Sequence, residues 1–296
     1  MKYIKEYYTY IEPLDNEEDW EEEELDDSFI LWLKTNYPNK SKWKNITKID
    51  CSRNYIYSLN GIEKLINLKS INCYNNNISS LNGINKLTNI NRINCYDNNI
   101  ESLKDIENLI NIIYLKCNNN NIKSLKDIKK LINLKTLNCN SNNLKSLEGI
   151  ENLKKLEILW CSNNQLTSLE GIENLTNLKE FYCDNQLTLT LEKIKKLEKL
   201  EVLDISNIES LKGIENLSNL KVLNCHDNDL ISLEGIENLK KLTHLYIHNN
   251  KLTSLKEIEK LNSLQYLFCY NNNFSNKHIN YIKNYCKNNN ITLICD

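Results

Sequence analysis

Alanine is absent from the 296 residues, and proline (2), methionine (1), glycine (6) and arginine (2, against 35 lysines) are scarce. No run of 18 apolar residues occurs, so nothing in the sequence is long enough to cross a bilayer as a helix. The opening stretch, MKYIKEYYTYIEP, lacks the unbroken apolar core of a secretory signal, so an intracellular, reducing compartment is expected, the cytoplasm or a virion. The metal-binding pattern HExxH and the nucleophile pattern GxSxG are also missing. Asparagine dominates instead, at 53 residues. Because Asn, Lys, Ile and Tyr share A/T-rich codons, part of this bias is genomic rather than functional.

What is present is one phrase, repeated. In LEILWCSNNQLTSLEGI it reads Leu156-x-x-Leu159-x-Cys161-x-x-Asn164-x-Leu166-x-x-Leu169-x-x-Ile172. With the cysteine as marker, successive rungs carry Cys51, Cys73, Cys95, Cys117, Cys139, Cys161, Cys183, Ile205, Cys225, Ile247 and Cys269. Every interval is 22 residues except that from Ile205 to Cys225, which is 20. A fixed period of this length means a solenoid of stacked coils. Around each marker apolar and polar residues alternate, as in Ile71, Asn72, Cys73, Tyr74, which is the period of a strand with one face inward. All six glycines occupy one later slot of the repeat, and Asp105, Asp127, Lys193 and Glu257 replace them elsewhere. No glycine-rich phosphate loop is therefore present, and the slot favours a permissive backbone without demanding one.

The motif L-x-x-L-x-C/I-x-x-N-x-I/L covers about four-fifths of the chain. It resembles the leucine-rich repeat family in its 22-residue form, shared by internalin-like proteins and a phosphatase regulatory subunit. The resemblance implies an α/β fold: a right-handed leucine-rich-repeat solenoid with a parallel β-sheet on the concave face. Short 3₁₀, helical or irregular returns are expected on the convex face, with caps at both ends. It also implies a binding scaffold and, more narrowly, a regulatory subunit of a host enzyme such as a phosphatase. Composition and repeats together resemble the repeat proteins of amoeba-infecting giant viruses.

Nine of the eleven cysteines hold the inward marker position, which Ile205 and Ile247 share. Packing explains that column better than disulfides, since the Cβ vectors of stacked rungs run parallel. Cys286 and Cys295 lie outside it and are expected to be the reactive thiols. Three residues after the marker comes an asparagine (Asn76, Asn98, Asn120 and their equivalents), whose amide can satisfy the turn that leaves the strand.

Four segments are expected: an acidic arm (1–27), a helical cap (28–45), about eleven repeats (46–275) and a helix–strand cap (276–296). The arm holds twelve acids against Lys2 and Lys5, a net of about −10, which leaves +8 on the remaining chain. Such a run is usually solvated, and the alternative is an arm lying on the basic solenoid. In SFILWLKTN, a short helix capped by Asp26, Asp27 or Ser28 presents Phe29, Ile30, Trp32 and Leu33 to the exposed end of the first coil. In the tail, Ile279, Ile282 and Tyr285 or Cys286 form a helical stripe, and His278 is expected at the surface. Residues 184–208 break the period, as a local adjustment or as a bend that shapes a surface.

Inward markers place the residues at −3, −1, +1 and +2 on the open face. Early rungs are Asn-rich there, with Lys48, Arg53, Arg92 and Lys116. Later rungs gather Trp160, Tyr182, Tyr246, Tyr266, Phe268 and Tyr270 beside Glu180, Asp184, Asp204, His226, Asp227, His244 and His248. Exposed aromatics on a rigid sheet resemble interface hot spots, and the acids suit a basic or amphipathic protein partner. No cofactor and no metal site is expected: His226 and His248 share a column, Asp227 is a conceivable third ligand, and no closed set is evident. Asp204 and Asp227 are not expected to act as an acid–base pair, because nothing on an open wet face separates their pKa values. Nucleic acid is disfavoured by the modest solenoid charge. A non-catalytic protein-binding scaffold is the function the sequence favours, with a structural particle component as the alternative.

Overall fold

The structure is a computed structural model that describes residues 27–184 and 190–295. The acidic arm up to residue 26, with Trp20 and the expected cap Asp26, lies outside the described residues, as does part of the irregular 184–208 stretch. Twelve strands are described: β1 Lys48–Asp50, β2 Ser70–Asn72, β3 Arg92–Asn94, β4 Tyr114–Lys116, β5 Thr136–Asn138, β6 Ile158–Trp160, β7 Glu180–Cys183, β8 Val202–Ile205, β9 Val222–Asn224, β10 His244–Tyr246, β11 Tyr266–Phe268 and β12 Thr292–Ile294. They form one open sheet in chain order, each strand parallel to the next. The pairing shifts by one repeat per rung, so Ile158 faces Glu180 and Trp160 faces Tyr182. The shortened repeat stays in line, with Val202 facing Val222.

Inside each coil the leucines, isoleucines and marker residues are buried; around rung six these are Leu153, Leu156, Leu159, Cys161, Leu166, Leu169 and Ile172. No coil could close over that many apolar side chains alone, so stacking supplies the core. The returns contain short 3₁₀ turns such as Ile62–Lys64 and Ile172–Asn174. Where glycine opens the turn it has positive φ, and at Gly149 (φ +112°) an added Cβ would meet the Leu125 carbonyl oxygen at 2.3 Å. Where Asp105 replaces glycine, the turn begins earlier, at Lys104, after a Leu103 of negative φ. That change of turn is why the slot tolerates other residues.

The marker asparagines behave as a ladder. Asn98 Nδ2 donates to the carbonyls of Cys73 (3.0 Å) and Cys95 (3.1 Å), and its Oδ1 accepts from Ile78 N–H (3.0 Å). The residue just before each such asparagine has positive φ: Asn75, Asp97, Asn119, Ser141, Asn163, Asp227, Asn249 and Asn271, types that mostly tolerate that region. The shortened repeat lacks its own ladder asparagine, with Ile208 three residues after Ile205, but Ile208 N–H keeps the usual bond to Asn228 Oδ1 of the next rung (2.7 Å), as Ile78 does to Asn98.

Helix α1 (Ser28–Asn36) buries Phe29, Ile30, Trp32 and Leu33, and Trp43 donates its indole N–H to the Tyr37 carbonyl (2.7 Å). Asp27 stands at its N-cap but makes no side-chain cap bond, and Ser28 Oγ instead accepts from Tyr57 N–H (2.9 Å), tying the helix to the first repeat. Helix α2 (Asn276–Asn288) is capped by Ser275 and buries Ile282 and Cys286.

Two expectations for the tail are corrected. Cys286 is buried, and burial pushes its thiol up to about 11, so it is not a reactive cysteine. Cys295 does not lie outside the marker column: β12 pairs with β11 so that Ile294 faces Phe268, which sets Cys295 opposite Cys269. The 26-residue spacing, lengthened by α2, hid this twelfth rung from the period.

Candidate functional site

Strand alternation turns the marker and the residue two before it inward, and the residues at −3 and −1 outward. In β6 Leu159 is fully buried, while Ile158 and Trp160 are half-buried on the open face. Because the register advances by one repeat, side chains of one column meet their equivalents one rung along. Rings therefore stack.

In the −1 column Trp160 stacks on Tyr182 (centroids 5.6 Å apart), and Tyr246 stacks on Phe268 (4.7 Å). At −3 His244 lies on Tyr266 (4.5 Å). At +1 His226, His248 and Tyr270 form a continuous pile, at 4.7 and 4.6 Å. The nine rings among the thirteen predicted residues thus fall into two groups. Trp160 and Tyr182 form the first, with Glu180 accepting from the Tyr182 hydroxyl (3.2 Å). His226, His244, Tyr246, His248, Tyr266, Phe268 and Tyr270 form the second. Between them the −1 column carries Asp204 and Asn224, facing each other across β8 and β9.

The acids gather in that gap. Asp184 accepts a hydrogen bond from Ser206, and Asp227 lies 3.3 Å from His226 Nε2. His226 Nδ1 is 2.8 Å from Asn224 Oδ1. Burial raises the Asp204 carboxyl above its usual range; Asn224 and His226 oppose the rise and Asp184 adds to it. The expectation of a uniformly wet face is therefore corrected at Asp204, which the neighbouring strands shield from water. Burial, then Glu180, pushes the Tyr182 phenol up to about 12. Burial, followed by His226, lowers the His248 imidazole. Among the described residues no group of three or more His, Cys, Asp or Glu side chains is placed to hold a metal ion.

Several features escaped the sequence reading. At the opposite end of the face Arg53 lies over Tyr74 (5.3 Å to the ring centroid), Tyr74 stacks on Tyr96 (4.5 Å), and Lys116 Nζ sits 4.5 Å from the Tyr96 ring. Arg92 lies 4.3 Å over Tyr114. The residues were visible, but the pairing needed the strand register. His278, expected at the surface, is half-buried: its Nε2 accepts from Leu255 N–H (2.9 Å), and its ring lies between Phe274 and Tyr281. A second asparagine column, six residues before the marker, also went unread. Asn111, Asn133 and Asn177 each donate to a return carbonyl of the preceding coil, those of Thr88, Ile110 and Lys154. The recurring Asn in LINL and LTNL was its signal.

The family profile "Leucine Rich repeats (2 copies)" matches residues 154–196, 218–259 and 240–277. No curated protein matches the sequence. Among solved structures, an internalin (InlF) from Listeria monocytogenes str. 4b F2365 superposes with a TM-score of 0.75 at 20% identity, covering 90% of this chain and 86% of that one. TLR13, solved in complex with ssRNA13, gives 0.66 at 24% identity, covering 83% of this chain and 39% of that one. The plant peptide hormone receptor RGFR1, in complex with RGF2, gives 0.51 at 20% identity, covering 76% and 47%. These likenesses establish the solenoid fold.

Proposed function

From the premise that the chain is a leucine-rich repeat protein, we propose that it is a non-catalytic scaffold holding a protein partner on the concave face of its sheet. The observation that carries this reading is the second aromatic group, where Tyr246–Phe268 is flanked by His244–Tyr266 and by His226–His248–Tyr270. Each ring is held by its neighbour on a rigid strand, so little side-chain entropy is lost when a partner covers it. Flat, prearranged aromatic surface of this kind is where binding energy concentrates. The acids of rungs seven to nine, Glu180, Asp184, Asp204 and Asp227, suit a partner with a basic or amphipathic surface. RGFR1, similar in fold, is solved with RGF2 and TLR13 with ssRNA13, so the peptide or protein ligand class rests on the chemistry of the face rather than on fold likeness. Among the described residues no helix is long and apolar enough to cross a membrane. The same reading includes a reducing compartment, in which the buried cysteine column stays as thiols.

The test is affinity capture from a candidate host lysate with the wild-type chain and a Trp160→Ala, Phe268→Ala variant. A captured protein is then purified and titrated against both. Saturable binding, weakened at least tenfold in the variant while its thermal transition is kept, supports the scaffold. Equal binding by both chains removes the concave aromatic face from the reading. No saturable partner, with high abundance in a particle, favours a structural component instead.

A further inference from the structure

The open face is electrically two-ended. On positions −3, −1, +1 and +2, rungs one to four carry Lys48, Arg53, Arg92 and Lys116 against Asp50 and Asp97, and rungs seven to nine carry four acids and no Lys or Arg. The basic end is built in an unusual way. Arg53, Arg92 and Lys116 each lie on a tyrosine face and, among the described residues, none has a carboxylate within ion-pair distance. Other solenoid cations pair with carboxylates instead, as where Lys135 and Lys179 both hold Glu157 (3.1 and 2.8 Å). A cation resting on a ring keeps its outward side free, and the ring fixes its place.

A second observation points to the same end. The positive-φ slot before the ladder asparagine holds small polar residues elsewhere, but in rung one it holds Arg53 (φ +59°). Tyr55, two residues on, is also at positive φ (+55°), where the equivalent Asn77, Asn99 and Asn121 are not. Bulky side chains in that region are strained. The two residues, with Asn75, Asn76, Asn77 and Asp97, line a cavity of about 170 Å³, and Tyr55 is 69% exposed.

The geometry points to this end of the face as a second docking surface, for an extended acidic segment of a partner protein. Arg53 and Lys116 stand three rungs apart, about 14 Å at the usual strand spacing, which an extended peptide covers in about four residues. The segment that fits therefore carries carboxylates four positions apart, with Arg92 between them and the Tyr55 cavity taking a side chain at one end. A polyphosphate chain fits less well, because Asp50 and Asp97 stand among the cations and would repel its closely spaced charges. This surface is independent of the aromatic group of rungs nine to eleven.

The test uses the full chain and a fluorescent twelve-residue peptide with Glu at every fourth position, read by anisotropy at low and moderate salt. Salt-sensitive binding is expected, at least tenfold weaker in an Arg53→Gln, Lys116→Gln variant and unchanged in Trp160→Ala, Phe268→Ala. A Lys-for-Glu peptide should not bind. The proposal falls if the acidic peptide fails to bind, if the Gln variant binds it equally well, or if a twelve-nucleotide oligouridylate binds more tightly. It also falls if a photocrosslinker placed at Tyr55 captures residues 1–26 of the same chain, since the occupant would then be the chain's own acidic arm.

Discussion

Asn142 bonds to Cys117 one full coil earlier in the chain: its Nδ2 donates to that carbonyl at 3.1 Å and to the Cys139 carbonyl at 3.1 Å, while its Oδ1 accepts from Ile122 N–H at 2.9 Å. One amide thus satisfies backbone groups of two rungs. All are buried, so their loss is not made good by water. Asn142→Ala and Asn142→Asp should each lower unfolding free energy by about 3 kcal/mol, the aspartate because it cannot donate. Urea denaturation checks this; an aspartate variant as stable as wild type would mean the donors are unimportant.

Gly149 and Gly171 share a repeat slot and positive φ, but their surroundings differ. A Cβ at Gly149 would strike the Leu125 carbonyl oxygen at 2.3 Å, whereas at Gly171 its nearest neighbour is Glu151 Cβ at 3.7 Å. Gly171→Ala should cost about 1 kcal/mol, the backbone preference alone. Gly149→Ala must also displace backbone and should cost clearly more. Equal melting temperatures would contradict the assigned turn geometry.

His278 accepts from Leu255 N–H, a role open only to neutral imidazole, and burial, followed by Lys256, lowers its pKa while Glu257 opposes. A histidine depressed on folding contributes stability that is complete above the unfolded value near 6.5 and is lost as pH falls below it toward the folded value. His248, lowered by burial and His226, acts in the same direction. The melting temperature should therefore fall between pH 7.5 and 5.5, and the fall should shrink in His278→Gln. A melting temperature that rises on acidification in that range would contradict the bond.

The repeat frame was legible because buried leucines, markers and ladder asparagines recur in sequence at the period at which they stack. What broke the period was harder to read. Cys295 joins the column at a 26-residue spacing that no 22-residue ruler finds, and the coil after Ile205 is two residues short yet keeps the ladder bond from Ile208 to Asn228. The columns of the face follow from strand alternation, but which rings meet depends on the register. Trp160 and Phe268 share a column, yet Asp204 and Asn224 stand between their stacks. His278 gave no periodic signal, because its partner is a backbone N–H 23 residues away.

Burial pushes the thiols of Cys95 and Cys139 up to about 12 and those of Cys73 and Cys117 well above their usual value. Only thiolate reacts with alkylating agents, and only where the reagent reaches it. Native protein at pH 8 should take up iodoacetamide first at Cys295, which is half-buried, and much more slowly at Cys286 and the column. Denaturant should then expose all eleven cysteines. Peptide mapping by mass spectrometry reads this directly, and labelling of Cys139 as fast as Cys295 would place the column outside the core.

The two aromatic groups make separable predictions about binding. Trp160 and Phe268 are half-buried on the open face, so replacing either with alanine removes little core packing and should shift stability by less than about 1 kcal/mol. For a partner that spans the face, hot-spot truncation costs about 2 kcal/mol or more, roughly thirtyfold in affinity. The groups do not touch, so the two losses should add in the double variant. A partner seated only on rungs nine to eleven would lose affinity with Phe268→Ala and ignore Trp160→Ala. If stability falls as much as affinity, the rings serve the fold, and the face loses its claim to be an interface.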